Sequence, residues 1–578
     1  MTRLFSPARL FAALALAYSE ARGAILLPTH IASSMVLQSG VPVPIWGLDA
    51  PGASVTAVFG GKALLPVTCD ATGRFDVVLP ASPVSGTPTT LQLSSSSGSA
   101  AVTLSDIVVG TALVCSGQSN MGLSIANVAE VQEVLAASSA LGPLLRVFQV
   151  ALLDEYANAT SPQSNLTASI PWSRASPASV PGMSALCYLT AAKAVAARGE
   201  PVGIMANAWG GVAIQVYMSP QSLAKCGGAA APPPPGPLER IAAAEAPGAS
   251  RSDVAHGMVA RAEVALARSQ GYGSTFPTNA SCLFFSMLYP LFSVPVSALL
   301  WYQGESNAGD PVGYQCLQRE MIADWRERWV AAGSSPTVPF LFVQLSAWPI
   351  HSEMYGQPFL LPIFRVAVEK TLTDLPNVGM VVAADIADPS GAYHPIHPPW
   401  KAELARRAWL WADNAVFGNS SSPTSGPRPV SAVFDAWDAT WGDSWHFGSG
   451  GNSYVCESAT WTCGGVRVTF DRPVGIRPFY NVGPTSATEL MYGFVQGAPS
   501  GFELWQSDNA TAWTQRAPIT AISSDGRTVY LNTTWIGPVS KTPTLLKYGW
   551  QDYPDAMPLQ SADGFALPVG PFNVTLTF

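Results

Sequence analysis

The chain has 578 residues, 48% of them hydrophobic and only 12% charged, with 50 Gly, 50 Pro and a formal net charge of −8. Charge this sparse excludes a disordered or coiled-coil protein. An acidic balance without a basic run excludes nucleic acid as a partner and gives no steering toward anionic glycans, so an acidic substrate would need local arginines.

The N-terminus reads as a secretory signal over residues 1–23: Arg3 and Arg9 precede an apolar stretch at 10–18, and Ala21-Arg22-Gly23 offers small residues for cleavage. That stretch is too short to span a bilayer and no later run has spanning length, so no membrane anchor is expected. An extracellular or lysosomal destination follows. Secretion agrees with seven Asn-x-Ser/Thr sequons, at Asn158, Asn165, Asn279, Asn419, Asn509, Asn532 and Asn573. It also agrees with eight cysteines, which an oxidising compartment would pair. Cys456 and Cys463 are placed to staple a hairpin, and Cys226 with Cys282 to close the irregular insertion between them. The spacing of Cys69, Cys115, Cys187 and Cys316 assigns no partners, and no Cys-x-x-Cys spacing points to zinc.

Residues 25–105 read as a small β-sandwich, with short strands at 41–46, 54–59, 74–79 and 90–93 between Gly/Pro/Ser turns. Pro42 and Pro44 make the first of these an edge strand. From 106 to 418 apolar runs at 107–114, 202–206, 296–302, 340–345 and 378–383 alternate with helical patterns at 185–197, 317–332 and 401–412. This is the signature of an α/β domain, a parallel sheet with helices on both faces. The proline run within 229–237 can only be loop. Residues 419–429 read as a linker, and 430–578 return to strand patterns as a C-terminal β domain. No internal repeat is present.

The chemistry sits just after the apolar runs. Gly117-Gln118-Ser119-Asn120-Met121 puts a hydroxyl on a turn leaving the first run, and open α/β sheets bind ligands outside the carboxyl ends of their strands. Ser119 is the candidate nucleophile, and its own N–H is a candidate oxyanion donor. Trp209-Gly210-Gly211 follows the second run, where a glycine pair lets backbone approach a ligand, and Gly211 would add a second donor. Trp301-Tyr302-Gln303-Gly304-Glu305-Ser306-Asn307 ends the third: Gln303 can donate an amide N–H, and Glu305 can orient a base. Among six histidines, His394 and His397 share the loop 385–399. His397 lies nearer the following helix between stiffening prolines, and is the candidate general base. Asp385 and Asp388 compete with Glu305 as the carboxylate that orients it. A His-x-x-His metal pair finds no further ligands nearby.

These residues resemble the sialate O-acetylesterases, within the wider SGNH hydrolase group. The likeness rests on Cys115-Ser116-Gly117-Gln118-Ser119-Asn120-Met121, on Trp209-Gly210-Gly211, on Trp301 to Asn307, and on Ile396-His397-Pro398 with Lys401 and Arg407. Flanking segments extend it: Met35-Val36-Leu37-Gln38, Ile45-Trp46-Gly47, Asp324-Trp325-Arg326-Glu327 and Tyr548-Gly549-Trp550. It implies a flavodoxin-like SGNH domain flanked by β domains, needing no cofactor or metal, that removes acetyl esters from sialic acid hydroxyls. By motif Ser119 is the nucleophile, His397 the base, and Ser119, Gly211 and Gln303 the oxyanion donors. One position departs: many SGNH enzymes carry an aspartate three residues before the histidine, where this chain has His394. An acetyl esterase of xylan or another polysaccharide would use the same residues, whereas a sialate carboxylate calls for a pocket arginine, with Arg326 and Arg365 as candidates. The flanking β domains also suit a secreted carbohydrate-binding protein with an inactive esterase domain.

Overall fold

In the computed structural model the described residues are 24–227, 242–246, 276–347, 360–386, 396–436, 461–476, 502–505, 514–516, 519–538, 544–548, 557 and 559–577. The proposed signal segment, the proline run, Cys456, His394, Asp388 and Asn509 lie outside them. The chain divides into two compact units, each assembled from more than one segment.

The first unit comprises Met1–Val343, Val368–Val381 and Pro399–Thr424. It begins with strands β1 (Val36–Gln38), β2 (Val43–Leu48), β3 (Ser54–Phe59), β4 (Lys62–Ala63), β5 (Val67–Thr68), β6 (Arg74–Leu79) and β7 (Ser85–Ser95). Strand β2, which carries Pro44, pairs with β6 among the named strands and bridges Leu26 at its end. Along β3 and β6 the residues Val55, Ala57, Phe75, Val77 and Leu79 are buried at every second position, the period of a half-buried strand. β7 pairs antiparallel with the first half of β8 (Val102–Gly117), and the second half of β8 runs on into the parallel sheet.

That sheet also contains β9 (Leu145–Val150), β10 (Ala168–Arg174), β11 (Val202–Ala208), β12 (Ala298–Tyr302), β13 (Phe340–Val343) and β14 (Val378–Val381), in the order β10-β9-β11-β8-β12-β13-β14. Strands β9, β11, β8, β12, β13 and β14 run parallel, and antiparallel β10 extends one edge. Sequence periodicity misses β9 because Arg146 interrupts its apolar run. Arg146 is nonetheless fully buried, and its guanidinium bonds Asp106 at 3.1 Å. The helix Ala185–Arg198 opens on a Ser184 cap whose side chain accepts from the Cys187 N–H, and it ends at Gly199 with φ +64°. The helix Pro311–Ala331 starts six residues before its apolar pattern, because Asp310 caps it at Gly313 N–H and Pro311 suits the first turn.

The disulfides correct one expectation. Cys226 bonds Cys316, not Cys282, and Cys115 on β8 bonds Cys187. Cys226 closes the short helix Pro220–Lys225, which packs along Pro311–Ala331 where Cys316 sits. Cys282 is fully buried as a free thiol, and burial pushes its pKa up to about 12.

The second unit comprises Gln344–Ala367, Val382–Pro398 and Ser425–Phe578. Its strands are β15 (Pro429–Ala436), β16 (Trp461–Phe470), β17 (Val474–Ile476), β18 (Phe502–Trp505), β19 (Thr514–Arg516), β20 (Ile519–Ile522), β21 (Thr528–Pro538), β22 (Leu545–Tyr548), β23 (Leu559–Ser561) and β24 (Phe572–Thr575). They form antiparallel sheets in the orders β15-β16-β21-β20 and β19-β18-β22-β24, with β17 paired to β23. Phe470, Phe502, Tyr548 and Phe572 meet ring to ring in the core at centroid distances of 4.7 to 6.2 Å.

Candidate active site

The carboxyl ends of β8, β11 and β12 lie side by side, with Gly117 opposite both Ala208 and Tyr302 in the ladders. At that edge the chain leaves β8 through Gly117, whose φ is +144°. A Cβ on Gly117 would sit 2.1 Å from the Tyr302 carbonyl oxygen, so only glycine fits the close approach. Gln118 N–H donates to that carbonyl at 3.0 Å and Trp209 N–H to the Gly117 carbonyl at 3.1 Å. Three loops distant in sequence are thereby stitched together by their backbones.

Ser119 is the first residue of the single helical turn Ser119–Gly122 and is buried. Gly210 faces it: a Cβ there would stand 3.4 Å from the Ser119 Cβ. Gly211 follows in the left-handed region at φ +72°. Gly210 therefore lies against the serine at van der Waals distance.

Gln303, Glu305 and Asn307 come from the loop after β12 and are all buried. The Gln303 Nε2 donates to the Val212 carbonyl at 3.1 Å and to Asn307 Oδ1 at 2.8 Å, while its Oε1 accepts from the Tyr314 hydroxyl at 2.8 Å. Asn307 also accepts from Ile214 N–H at 2.9 Å and donates to Gln215 Oε1 at 3.0 Å. Gln303 thus braces the segment following Gly211. Glu305 Oε1 accepts from Asn120 Nδ2 at 2.5 Å, and Asn120 Oδ1 accepts from Lys401 Nζ at 2.7 Å. Lys401 is fully buried, with Nζ 5.2 Å from the centre of the Tyr302 ring. Burial lowers its pKa to about 7, against the Glu305 charge, which pulls it up. Burial also raises the Tyr314 hydroxyl far above its usual range. Beside this network, Gln118 Nε2 and both side-chain polar atoms of Asn207 are buried without a hydrogen-bond partner among the described residues.

The structure thus brings together Ser119, Gly211, Gln303 and Glu305 from the sequence-derived set. His397 is fully buried and Asp385 half-buried, both in the second unit. Sequence reasoning assigned no role to Asn120 or Lys401. One signal was available: Lys401 opens a helix, where the positive end of the helix dipole disfavours a cation.

Both sequence-nominated arginines are engaged by backbone. Arg326 donates to the carbonyls of Val338, Pro376 and Asn377 at 2.8 to 3.0 Å. Those carbonyls precede β13 and β14, at the opposite edge of the sheet from Ser119. Arg365 is fully buried and donates to the carbonyls of Leu345 and Ser346 at 2.9 and 2.7 Å. Among the described residues no three His, Cys, Asp or Glu side chains group as a metal site, and no helix is long and apolar enough to cross a membrane.

No family model matches the chain. It is 29% identical over 429 residues to the sialate O-acetylesterase of Mus musculus, covering 69% of this chain and 75% of the relative. The sialate O-acetylesterase of Homo sapiens is 26% identical over 422 residues, covering 69% and 73%. A carbohydrate acetylesterase from Xanthomonas citri has a TM-score of 0.68 at 26% identity, covering 95% of this chain and 99% of that one. A chain with these relatives and this gathering of strand-end loops is an esterase akin to the sialate O-acetylesterases.

Proposed function

We propose that the chain is an SGNH-type serine esterase that removes O-acetyl groups from sugars, sialic acids being the class its curated relatives are named for. The observation that carries the reading is Ser119 at the carboxyl end of β8, against Gly210, at the point where strand order reverses between β8 and β12. In this reading His397 takes the Ser119 proton as Oγ bonds to the acetyl carbonyl carbon, and the N–H groups of Ser119 and Gly211 receive the oxyanion. The C–O bond to the sugar then breaks, His397 protonates the leaving hydroxyl, and water repeats the cycle on acetyl-serine to release acetate. Gln303 supports the pocket by holding Val212 and Asn307, and it would have to release one of them to donate directly. The carboxylate that orients His397 is Glu305, Asp385 or Asp388. The two disulfides fit a secretory compartment, and exposed Asn158, Asn165 and Asn279 suit glycosylation there.

A neutral acetylated polysaccharide such as xylan is the second reading. The engagement of Arg326 by backbone carbonyls at the opposite edge of the sheet favours it, since Arg326 is not placed there to read a sialate carboxylate. Acetate release from 9-O-acetylated sialic acid and from acetylated xylan, by wild type, Ser119→Ala and His397→Ala, tests both. Loss in both variants is the expected result, and the preferred substrate decides the glycan. Release that survives Ser119→Ala would overturn the mechanism. Glycan binding without hydrolysis of any acetyl ester would instead establish a binding protein.

A further inference from the structure

We propose that Asn120, Glu305 and Lys401 form a charge-balanced strut that holds the Ser119 turn in its reactive orientation, with Lys401 and Glu305 as positioning residues. This rests on Ser119 being the nucleophile. The turn Ser119–Gly122 is four residues long, too short to hold its shape by its own hydrogen bonds. What fixes it must come from its neighbours. Asn120, adjacent to Ser119 and fully buried, reaches in two directions: its Nδ2 to Glu305 and its Oδ1 to Lys401, 185 and 281 residues away.

The charges make the arrangement directional. The carbonyl end of the Asn120 amide faces an ammonium and its NH₂ end faces a carboxylate. Turned over, donor would meet donor and acceptor would meet acceptor. One buried amide therefore has one orientation, and the backbone that carries it carries Ser119 as well. A buried ammonium and a buried carboxylate are each costly alone and tolerable together. Lys401 bears this cost at the start of a helix, where the dipole also opposes it. Its Nζ lies over the ring of Tyr302, whose carbonyl anchors Gln118. The same few residues thus tie the turn through side chain and backbone together.

The test is a double-mutant cycle in the full chain: Lys401→Met, Glu305→Gln and the pair combined. Two rates are read, covalent labelling of Ser119 by a fluorophosphonate and hydrolysis of 4-nitrophenyl acetate. Each single variant is expected to lower the labelling rate and kcat by about 10- to 100-fold with KM little changed, the scale of a misoriented reacting group. The combined variant is expected to be no slower than the worse single one, because no unpaired charge remains buried. A single variant that fails to fold while the pair folds would show the same coupling. Asn120→Asp, which keeps the side-chain volume but sets a carboxylate against Glu305, is expected to fall at least as far as Lys401→Met. Wild-type rates in the single variants, losses that multiply in the pair, or losses confined to KM would overturn the strut. Failure of wild type to label at Ser119 would instead overturn the nucleophile reading, and the strut with it.

Discussion

Two buried regions, the strand-end crevice of the first unit and the ring cluster of the second, are built from different groups. In the first, the carboxyl ends of β8, β11 and β12 enclose Ser119, Asn120, Gln303, Glu305, Asn307 and Lys401, joined by amide and charged hydrogen bonds. In the second, Phe470, Phe502, Tyr548 and Phe572 meet ring to ring, and nearby Ser561 closes a turn with Asp563 and Leu567. Burying a polar group is costly unless every donor and acceptor is matched, whereas an aromatic core needs only area and shape. A matched polar network therefore depends on each of its partners, whereas a ring cluster depends on its area and shape.

Four changes would break or sharpen this contrast. Ser119→Ala is expected to lower kcat by about 10⁴-fold or more while leaving the melting temperature near wild type, because it removes one exchangeable hydroxyl from an intact site. Phe572→Ala is expected to do the reverse. It should destabilise by about 3–5 kcal/mol, seen as an early unfolding transition, with kcat of the folded protein unchanged. Equal loss of kcat in that variant would show that the aromatic core serves the site directly.

Replacing Cys115 and Cys187 together by alanine falls between these. The bond joins residues 72 apart, one of them on the strand that delivers Ser119. A loss of about 2–4 kcal/mol is expected in chemical denaturation. The fourth change concerns pH. Lys401 has its pKa lowered to about 7 in the folded chain from 10.5, by burial first, with Glu305 opposing. The unfolded state therefore holds more protons between about pH 7 and 10.5, and stability rises with pH across that window, then is lost as pH falls back toward 7. Lys401→Met is expected to flatten that rise in melting temperature. An unchanged slope would place the ammonium in water.

Much of the fold was legible in the chain because its causes are local. Strand and helix periodicity, Pro44 in β2 and the turn glycines each act over a few residues. Gly117 reads as a tight-turn glycine, and in the structure it turns at positive φ hard against the Tyr302 carbonyl. Strand β9 escaped notice because a buried arginine, matched by Asp106, looks like a surface residue in one dimension.

What the chain by itself determined was the alternation of strand and helix and a serine on a turn after an apolar run, since these follow from short-range sterics and hydrophobic period. Only the tertiary structure decided that Cys226 meets Cys316, that Gln303 braces Val212 and Asn307, and that Asn120 lies between Glu305 and Lys401. Those pairings span up to 281 residues. Nothing in local propensity selects one distant partner over another; packing of the sheet and its helices does.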